Sequence, residues 1–520
     1  MMGYSMRVKS NVFRLICILL ILSWMTLPQS TSSTRLEPTL ANPNRPISNE
    51  GGVLLEDIPY FWQEINGFCY WTALTMALHK AGVPIDLHTF FAVSGIGFSN
   101  AYVRVNDTMM MLPGALFRQQ AQLLPFCELY GLTHELHVDL NSNWTPIAIE
   151  YWSSWGVNIT GMDGESDAFD LLKSTIDAGF PAVLWTDPYY LPAEDYDIAR
   201  ELGIRQNTSA PEVGHAVLAV GYDDAESTVQ LMDPGVGAFG PNFGYPDDGR
   251  WYYAVDYSTL DDAWRALGYG ITILKPGNGS IQDFESRLGE LIVSRLLGNF
   301  TSYMPDTEEL PFITFGENAF RSLRYDMEPE SIKSYIEQLE SMEERVYALL
   351  MIGADLETMM TLQYLSYRVA LEALPDVMPN TDLNQFLEEG RAAFSHMEAL
   401  SENRTLTDLY YLENSDSLLT NTFINMAMRY NSTEDLDTTL NAYEWSLGKI
   451  ALQLVQIADA WKNAGEALRA ALSGEPYPAV PNHQPLITAE WMYVVGATAA
   501  VGAGAFAVVI IVTLKRSRSA

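Results

Sequence analysis

An α+β domain, then an all-α helical bundle, then one C-terminal membrane-crossing helix is the architecture this 520-residue sequence predicts, on three observations. Short runs of β-branched and aromatic residues, bounded by Gly, Asp and Pro, punctuate residues 53–279. After residue 280 apolar side chains recur at three- and four-residue steps instead. Finally, the stretch from Trp491 to Leu514 carries no charge.

Residues 217–220, 229–232, 251–255 and 271–274 are the clearest strands, each ending at a turn residue. Ala73, Leu74, Ala77 and Leu78 give an apolar helix face just after Cys69. In the second region, Ile332, Tyr335, Ile336, Leu339, Met342 and Val346 form one continuous face, and Leu356, Met359, Met360, Leu365 and Val369 a second. Ser432 followed by Asp435 resembles a capping box before a long helix reaching Leu472. The predicted bundle is 280–472, with no internal repeat. Residues 473–490, with Pro476, Pro478, Pro481 and Pro485, read as a stiff stalk.

The ends carry addressing signals. Arg7, Lys9 and Arg14 precede an apolar run of about 11 residues, too short to span a bilayer of about 30 Å. Residues 1–33 therefore read as an export signal, with a retained anchor as the alternative, and 34–52 as a polar linker. The run 491–514, about 24 residues, reaches about 36 Å as a helix. Lys515, Arg516 and Arg518 follow it, so the tail 515–520 is expected in the cytoplasm and the bulk outside. Asn106, Asn143, Asn158, Asn207, Asn278, Asn299, Asn403 and Asn431 each open an N-glycosylation triplet, in keeping with an extracytoplasmic glycoprotein.

The formal charge of −35 excludes a nucleic-acid partner, because no Lys/Arg cluster stands outside the tail. The acid excess reads first as the solvated surface of an exposed domain, with attraction of cationic substrates or divalent ions as the other reading. Of three cysteines, Cys17 lies in the signal. Cys69 and Cys127 remain, and the sequence leaves a bridge between them open.

Chemistry concentrates at Cys69, which opens a helix after the Asn66-Gly67 turn. There the positive end of the helix dipole favours the nucleophilic thiolate. Gln63, six residues upstream, brings an amide able to donate to an oxyanion beside the Cys69 backbone N–H. His215, at the start of a strand, is the candidate base. Asp233 ends the next strand in Asp-Pro-Gly, where a hairpin sets it beside His215 to orient the imidazole. Read alone, each has a bland role: a small buried thiol, a rim histidine, a turn aspartate. The four in this order point to acyl chemistry.

Pro59-x-x-x-Gln63, Cys69 before an Ala/Leu-rich helix, Gly-His215-Ala-Val-x-x-Val-Gly-Tyr-Asp and Asp233-Pro resemble the papain-like bacteriocin-processing cysteine peptidases. That resemblance, over about 55–276, implies an antiparallel sheet behind N-terminal helices and a thiol protease cleaving peptide substrates. It also implies catalysis by Cys69, His215 and Asp233, with Gln63 at the oxyanion hole and no metal or other cofactor. Tyr70 stands where that group commonly has glycine, which predicts a narrower cleft. A second resemblance covers Ala178-Gly-Phe-Pro-Ala-Val-Leu-Trp-Thr-Asp187-Pro-Tyr-Tyr-Leu-Pro192. It is similar to the butirosin-biosynthesis acyltransferase N-terminal domain, which implies acyl transfer to an amine as the alternative to hydrolysis. A non-catalytic peptide-binding surface protein is the reading outside enzymology.

Other clusters carry less. His134 and His137 are expected on opposite faces of a strand and so do not form a metal pair. Cys127 reads as a helix-core thiol. Asp163, Glu165 and Asp167 read as a solvated turn rather than a calcium loop. Asp187 suits either the cleft or a turn before Pro188.

Overall fold

The computed structural model describes residues 47–49, 51–64, 67–105, 108–110, 119–142, 159–193, 196, 214–236, 252–277, 283–298, 312–401, 417–475 and 477. The predicted signal, the membrane helix 491–514, the tail, and most of the linker and stalk lie outside the described residues. So do all the asparagines of the glycosylation triplets except Asn431, which is exposed. Among the described residues no helix is long and apolar enough to cross a membrane.

In chain order the first elements are β1 (Ile47–Asn49), β2 (Gly52–Leu54), α1 (Cys69–Lys80), α2 (Leu87–Val93), β3 (Ala101–Val105) and β4 (Thr108–Met110). Then come α3 (Gln119–Tyr130), β5 (Leu132–Asp139), β6 (Ile159–Met162), α4 (Gly164–Asp177), β7 (Ala182–Thr186), β8 (His215–Asp223) and β9 (Thr228–Met232). β10 (Tyr253–Asp256), α5 (Tyr257–Arg265), β11 (Ile271–Pro276), α6 (Phe284–Leu296), β12 (Phe312–Phe315), α7 (Glu317–Asp326) and α8 (Pro329–Glu337) follow. The last four are α9 (Met342–Val377), α10 (Asn384–Ser401), α11 (Leu418–Thr433) and α12 (Leu436–Ser473). The described residues fall into two compact units: those up to Phe90 with those from Gln120 to Gly277, and those of 91–119 with those from Asp283 on.

The first unit is a nine-stranded sheet in the order β1-β2-β8-β7-β11-β5-β6, with β9 on β8 and β10 on β9. Every pairing is antiparallel except β5 with β6, so the all-antiparallel expectation is corrected at that edge. β8 and β11 are near-continuous apolar runs because the sheet is covered on both faces. Ile271 and Ile273 of β11 join Leu172 and Ile176 of α4 and Trp264 of α5 in one core. Thr272 between them turns to the opposite face, where its hydroxyl meets Tyr70 of α1 at 3.1 Å. The linker reading also needs correction: Ile47–Asn49 pairs with Gly52–Leu54, and β2 adds to β8. Backbone hydrogen bonds to an existing sheet edge suffice there, without an alternating apolar pattern.

The second unit is built on two long helices. Ser341 and Glu344 make a reciprocal capping box that starts α9. The apolar face read as continuous from Ile332 to Val346 is therefore two helices, α8 and α9, broken at this cap. α12 starts at Asp435, whose carboxylate accepts from Thr438 N at 2.9 Å. Ser432 is not its partner; its hydroxyl donates to Arg429 O within α11. Tyr367 of α9 stacks on Trp461 of α12 with centroids 4.7 Å apart, and Phe320 of α7 packs on the same indole. Residues 91–105 belong to this unit rather than to the sheet before and after them. β12 pairs with β3, Gln363 Nε2 donates to Gly97 O at 3.3 Å, and the Tyr102 hydroxyl donates to Asp326.

Candidate active site

Gly67, at φ +101°, makes the turn that a side chain would oppose, and the chain then enters α1 at Cys69. Asn66 lies outside the described residues. α1 opens without a side-chain cap and without an acidic residue in its first turn. The positive end of its dipole is thus left for the Cys69 sulfur, which is partly exposed. Tyr70 to Leu78 are buried against the sheet, which anchors the helix and its first residue.

β8 and β9 are antiparallel with Leu218 opposite Met232, so the residue after Met232 falls beside the start of β8. That residue is Asp233, and the start of β8 is His215. His215 Nε2 lies 2.8 Å from Asp233 Oδ1. The carboxylate is fully buried, which is costly for a charge unless every lone pair is met. Gly235 N donates to Oδ1 at 2.9 Å and Tyr253 OH to Oδ2 at 2.9 Å. Tyr196 OH lies 2.9 Å from Oδ2 and 3.1 Å from Oδ1. The Asp-Pro-Gly turn is fastened by Tyr60, whose hydroxyl donates to the backbone carbonyls of Asp233 and Val236.

With Nε2 engaged by the carboxylate, Nδ1 is the ring nitrogen left over, and Cys69 lies near enough to act on the imidazole electrostatically. Burial alone disfavours the imidazolium. The Asp233 carboxylate and, after it, the interaction with Cys69 outweigh it, and His215 is pushed up to about 10. Burial likewise opposes ionisation of Asp233, but the imidazolium and its hydrogen bonds, with the Gly235 and Tyr253 donors, hold its carboxyl below the usual range. The corner is thus a carboxylate–imidazolium pair facing a sulfur.

Gln63 reaches the same corner through its main chain: its N–H donates to Pro234 O at 2.9 Å. The side chain is buried, and its Oε1 has no hydrogen-bond partner among the described residues. Gln63, His215 and Asp233 therefore meet around one turn, Asp233 to Val236, and Cys69 is near enough to act on the His215 imidazole. Tyr70 does not narrow a cleft as its bulk suggested. It is buried under α1, bonded to Thr272, with its ring edge-on to Trp185.

The remaining candidates take structural positions. Cys127 is free and buried in α3, where desolvation pushes its thiol up to about 12; Cys69 is free as well, so the two are not bridged. His134 and His137 both lie on β5, and burial lowers His134 to about 4. Asp163 takes the N-cap position of α4 without a side-chain cap bond, Glu165 and Asp167 in the first turn complement the dipole, and Asp163 N donates to Asp167. Asp187 is buried in a turn, accepting from Tyr189 N at 3.0 Å. Tyr60, Tyr196 and Tyr253 escaped the sequence reading. Only Tyr253 left a trace there, as a residue within the predicted strand 251–255.

No curated protein matches the chain. Residues 55–270, the stretch that holds Gln63, Cys69, His215 and Asp233, match the model of the Peptidase_C39 like family, and this part of the chain is accordingly similar to that family, with a papain-like, cysteine peptidase-like fold.

Proposed function

We propose that the protein is a cysteine peptidase-like hydrolase in which Cys69 is the nucleophile, His215 the proton carrier, Asp233 its orienting partner and Gln63 an oxyanion donor. The thiolate adds to a peptide carbonyl, and the oxyanion that forms is met by the Gln63 amide and the Cys69 N–H. As the C–N bond breaks, the leaving amine takes the proton of the His215 imidazolium. The neutral imidazole then removes a proton from water as its oxygen attacks the thioester, and the acid leaves with the thiolate restored. An amine in place of water gives acyl transfer by the same steps.

The observation that carries this reading is the 2.8 Å His215–Asp233 pair, with Cys69 near enough to act on its imidazole from a bare helix N-terminus. It is tested by limiting iodoacetamide on the purified protein across pH, with Cys69 and Cys127 followed separately by mass spectrometry. Cys69 is expected to react well below the ordinary thiol range of about 8.5, far faster than Cys127, and to slow about 100-fold in His215→Ala. Equal, sluggish labelling of both thiols overturns the proposal. Turnover of a peptide library by the wild type, but not by Cys69→Ala, then separates hydrolysis from peptide binding alone.

The same reading sets the enzyme outside a membrane, held by the uncharged segment 491–514. Deleting that segment is expected to release the protein from a carbonate-washed membrane pellet; retention counts against the tether.

A further inference from the structure

A buried carboxylate beside an imidazole poses a problem of aim as well as charge. The pair works only while the ring keeps Nε2 on the carboxylate and Nδ1 toward the sulfur. Asp233 fixes one point of the ring, and one point leaves it free to swing. Tyr196 supplies more. Its oxygen lies 3.1 Å from His215 Nε2, as well as 2.9 and 3.1 Å from the two Asp233 oxygens. Its ring meets the imidazole edge-on, with centroids 5.8 Å apart and planes at 67°. The phenol therefore touches both members of the pair with its hydroxyl, and one of them with its ring.

A hydroxyl has one proton and two lone pairs. The Tyr196 proton faces the carboxylate, shared between its oxygens. A lone pair is then left toward the imidazole N–H, which is itself directed at Asp233. Tyr253 also donates to Asp233, at 2.9 Å on Oδ2, and so bonds the carboxylate from the side away from the shared His215 contact of Tyr196. The two tyrosines are thus a natural control for one another.

The backbone opposite is shaped to admit this contact. A Cβ on Gly235 would lie 2.8 Å from the Tyr196 hydroxyl, 3.2 Å from His215 Cε1 and 3.3 Å from Asp233 Oδ1. Residue 235 is pressed against all three members of the cluster, and only the absence of a side chain lets them close together. Tyr196 itself is buried, its N–H donating to Ala193 O at 3.0 Å. Its hydroxyl is thus spent on the His215–Asp233 pair rather than on solvent.

We infer that Tyr196 is a positioning residue which latches the His215 imidazole and the Asp233 carboxylate together and keeps the ring turned toward Cys69. This rests on the reading of Cys69, His215 and Asp233 as a thiol-activating set. Tyr196 touches no reacting atom in it, and its action passes through His215.

The test compares Tyr196→Phe and Tyr253→Phe with the wild type and His215→Ala. Each is followed by the pH profile of Cys69 alkylation with iodoacetamide, read by mass spectrometry on the full chain. Both substitutions remove one oxygen and keep the ring. In Tyr196→Phe the midpoint of the Cys69 profile is expected to move up by about one pH unit, a rate loss of about tenfold on its acid side, because the imidazolium that balances the thiolate is less firmly held. Tyr253→Phe is expected to move it by less than half as much. A lower yield of folded protein scales the whole profile without moving its midpoint, so a purely structural role is told apart.

A Tyr196→Phe midpoint equal to the wild type's, or to that of Tyr253→Phe, overturns the inference while leaving the thiol reading intact, provided His215→Ala still slows Cys69. If His215→Ala has no effect either, both fall together.

Discussion

Each unit of the chain buries a carboxylate, and Asp233 and Glu357 contrast the proposed chemical site with a structural pin. Asp233 is wholly buried and is met by an imidazole, two phenols and a backbone amide. Glu357 of α9 is nearly as buried, and its Oε2 accepts from the hydroxyls of Ser417 and Thr420 at the start of α11. Ser417 is also the N-cap of α11, so Glu357 fixes where one helix begins against another. Both sites offset desolvation with hydrogen bonds, at both oxygens of Asp233 and at Oε2 of Glu357. Asp233 alone of the two is joined to a base that titrates, and that base faces a thiol. Satisfied polarity is common in a core; polarity tied to a proton carrier and a nucleophile is the mark of chemistry.

Removing each carboxylate gives the largest separation. Asp233→Ala leaves a buried imidazole without its counter-charge and two phenols without their acceptor. Cys69 alkylation at neutral pH is expected to fall about 100-fold, with a loss of about 3–5 kcal/mol of stability. Glu357→Ala is expected to cost about 1–3 kcal/mol in chemical denaturation and to leave the Cys69 rate within about twofold of wild type. If Glu357→Ala slowed Cys69 as strongly as Asp233→Ala, the distinction between pin and site would be lost.

The dependence of stability on pH sharpens the contrast, since of the two sites only that of Asp233 holds a group whose charge is lost on unfolding between about pH 6.5 and 10. His215 is held up to about 10 against an ordinary 6.5. Its contribution is therefore complete below about pH 6.5 and is lost as pH rises through about 10. Asp233 is held below its ordinary 3.8, so its share is present above that value and lost as pH falls through the lowered one. Urea denaturation should show stability declining from pH 6.5 to 10 in the wild type, and a flatter profile in His215→Gln. An unchanged slope in that variant would assign the decline to other groups.

How much of this was readable in advance differs between the two regions. The strands at 217–220, 229–232, 251–255 and 271–274 were legible because β-branched runs end sharply at turn residues, and β8 to β11 lie over them. Cys69, His215 and Asp233 could be singled out together because each stands at or directly after the end of an element, whereas Gln63, in the irregular stretch between β2 and α1, was marked only by its six-residue spacing from Cys69. Tyr196 and Tyr253 were not, because a phenol reaching an aspartate 37 or 20 residues away leaves no period or motif. The hairpin of β1 and β2 was hidden because it is held by backbone pairing in a polar stretch. Residues 91–105 carry no boundary signal, although their partners lie beyond residue 310. In the helical region the break before α9 was written in Ser341 and Glu344, but the apolar spacing runs straight across it.

That break gives the smallest effect and isolates local from global stabilisation. The Ser341 hydroxyl accepts from Glu344 N at 3.1 Å, and Glu344 Oε2 accepts from Ser341 N at 2.9 Å. Ser341→Ala removes the first bond and leaves an N-terminal amide of α9 to water, at an expected cost of about 1 kcal/mol; Ser341→Gly, at the same position, is expected to cost only a few tenths. Hydrogen exchange should locate the loss in the first turn of α9. Glu344, held below its usual range by the Ser341 N–H, should lose that bond as pH falls and reproduce part of the effect in acid. The Cys69 profile should not move. A cap change that altered it would mean that the opening turn of α9 bears on the thiol, and the two units would no longer separate into one that pins and one that reacts.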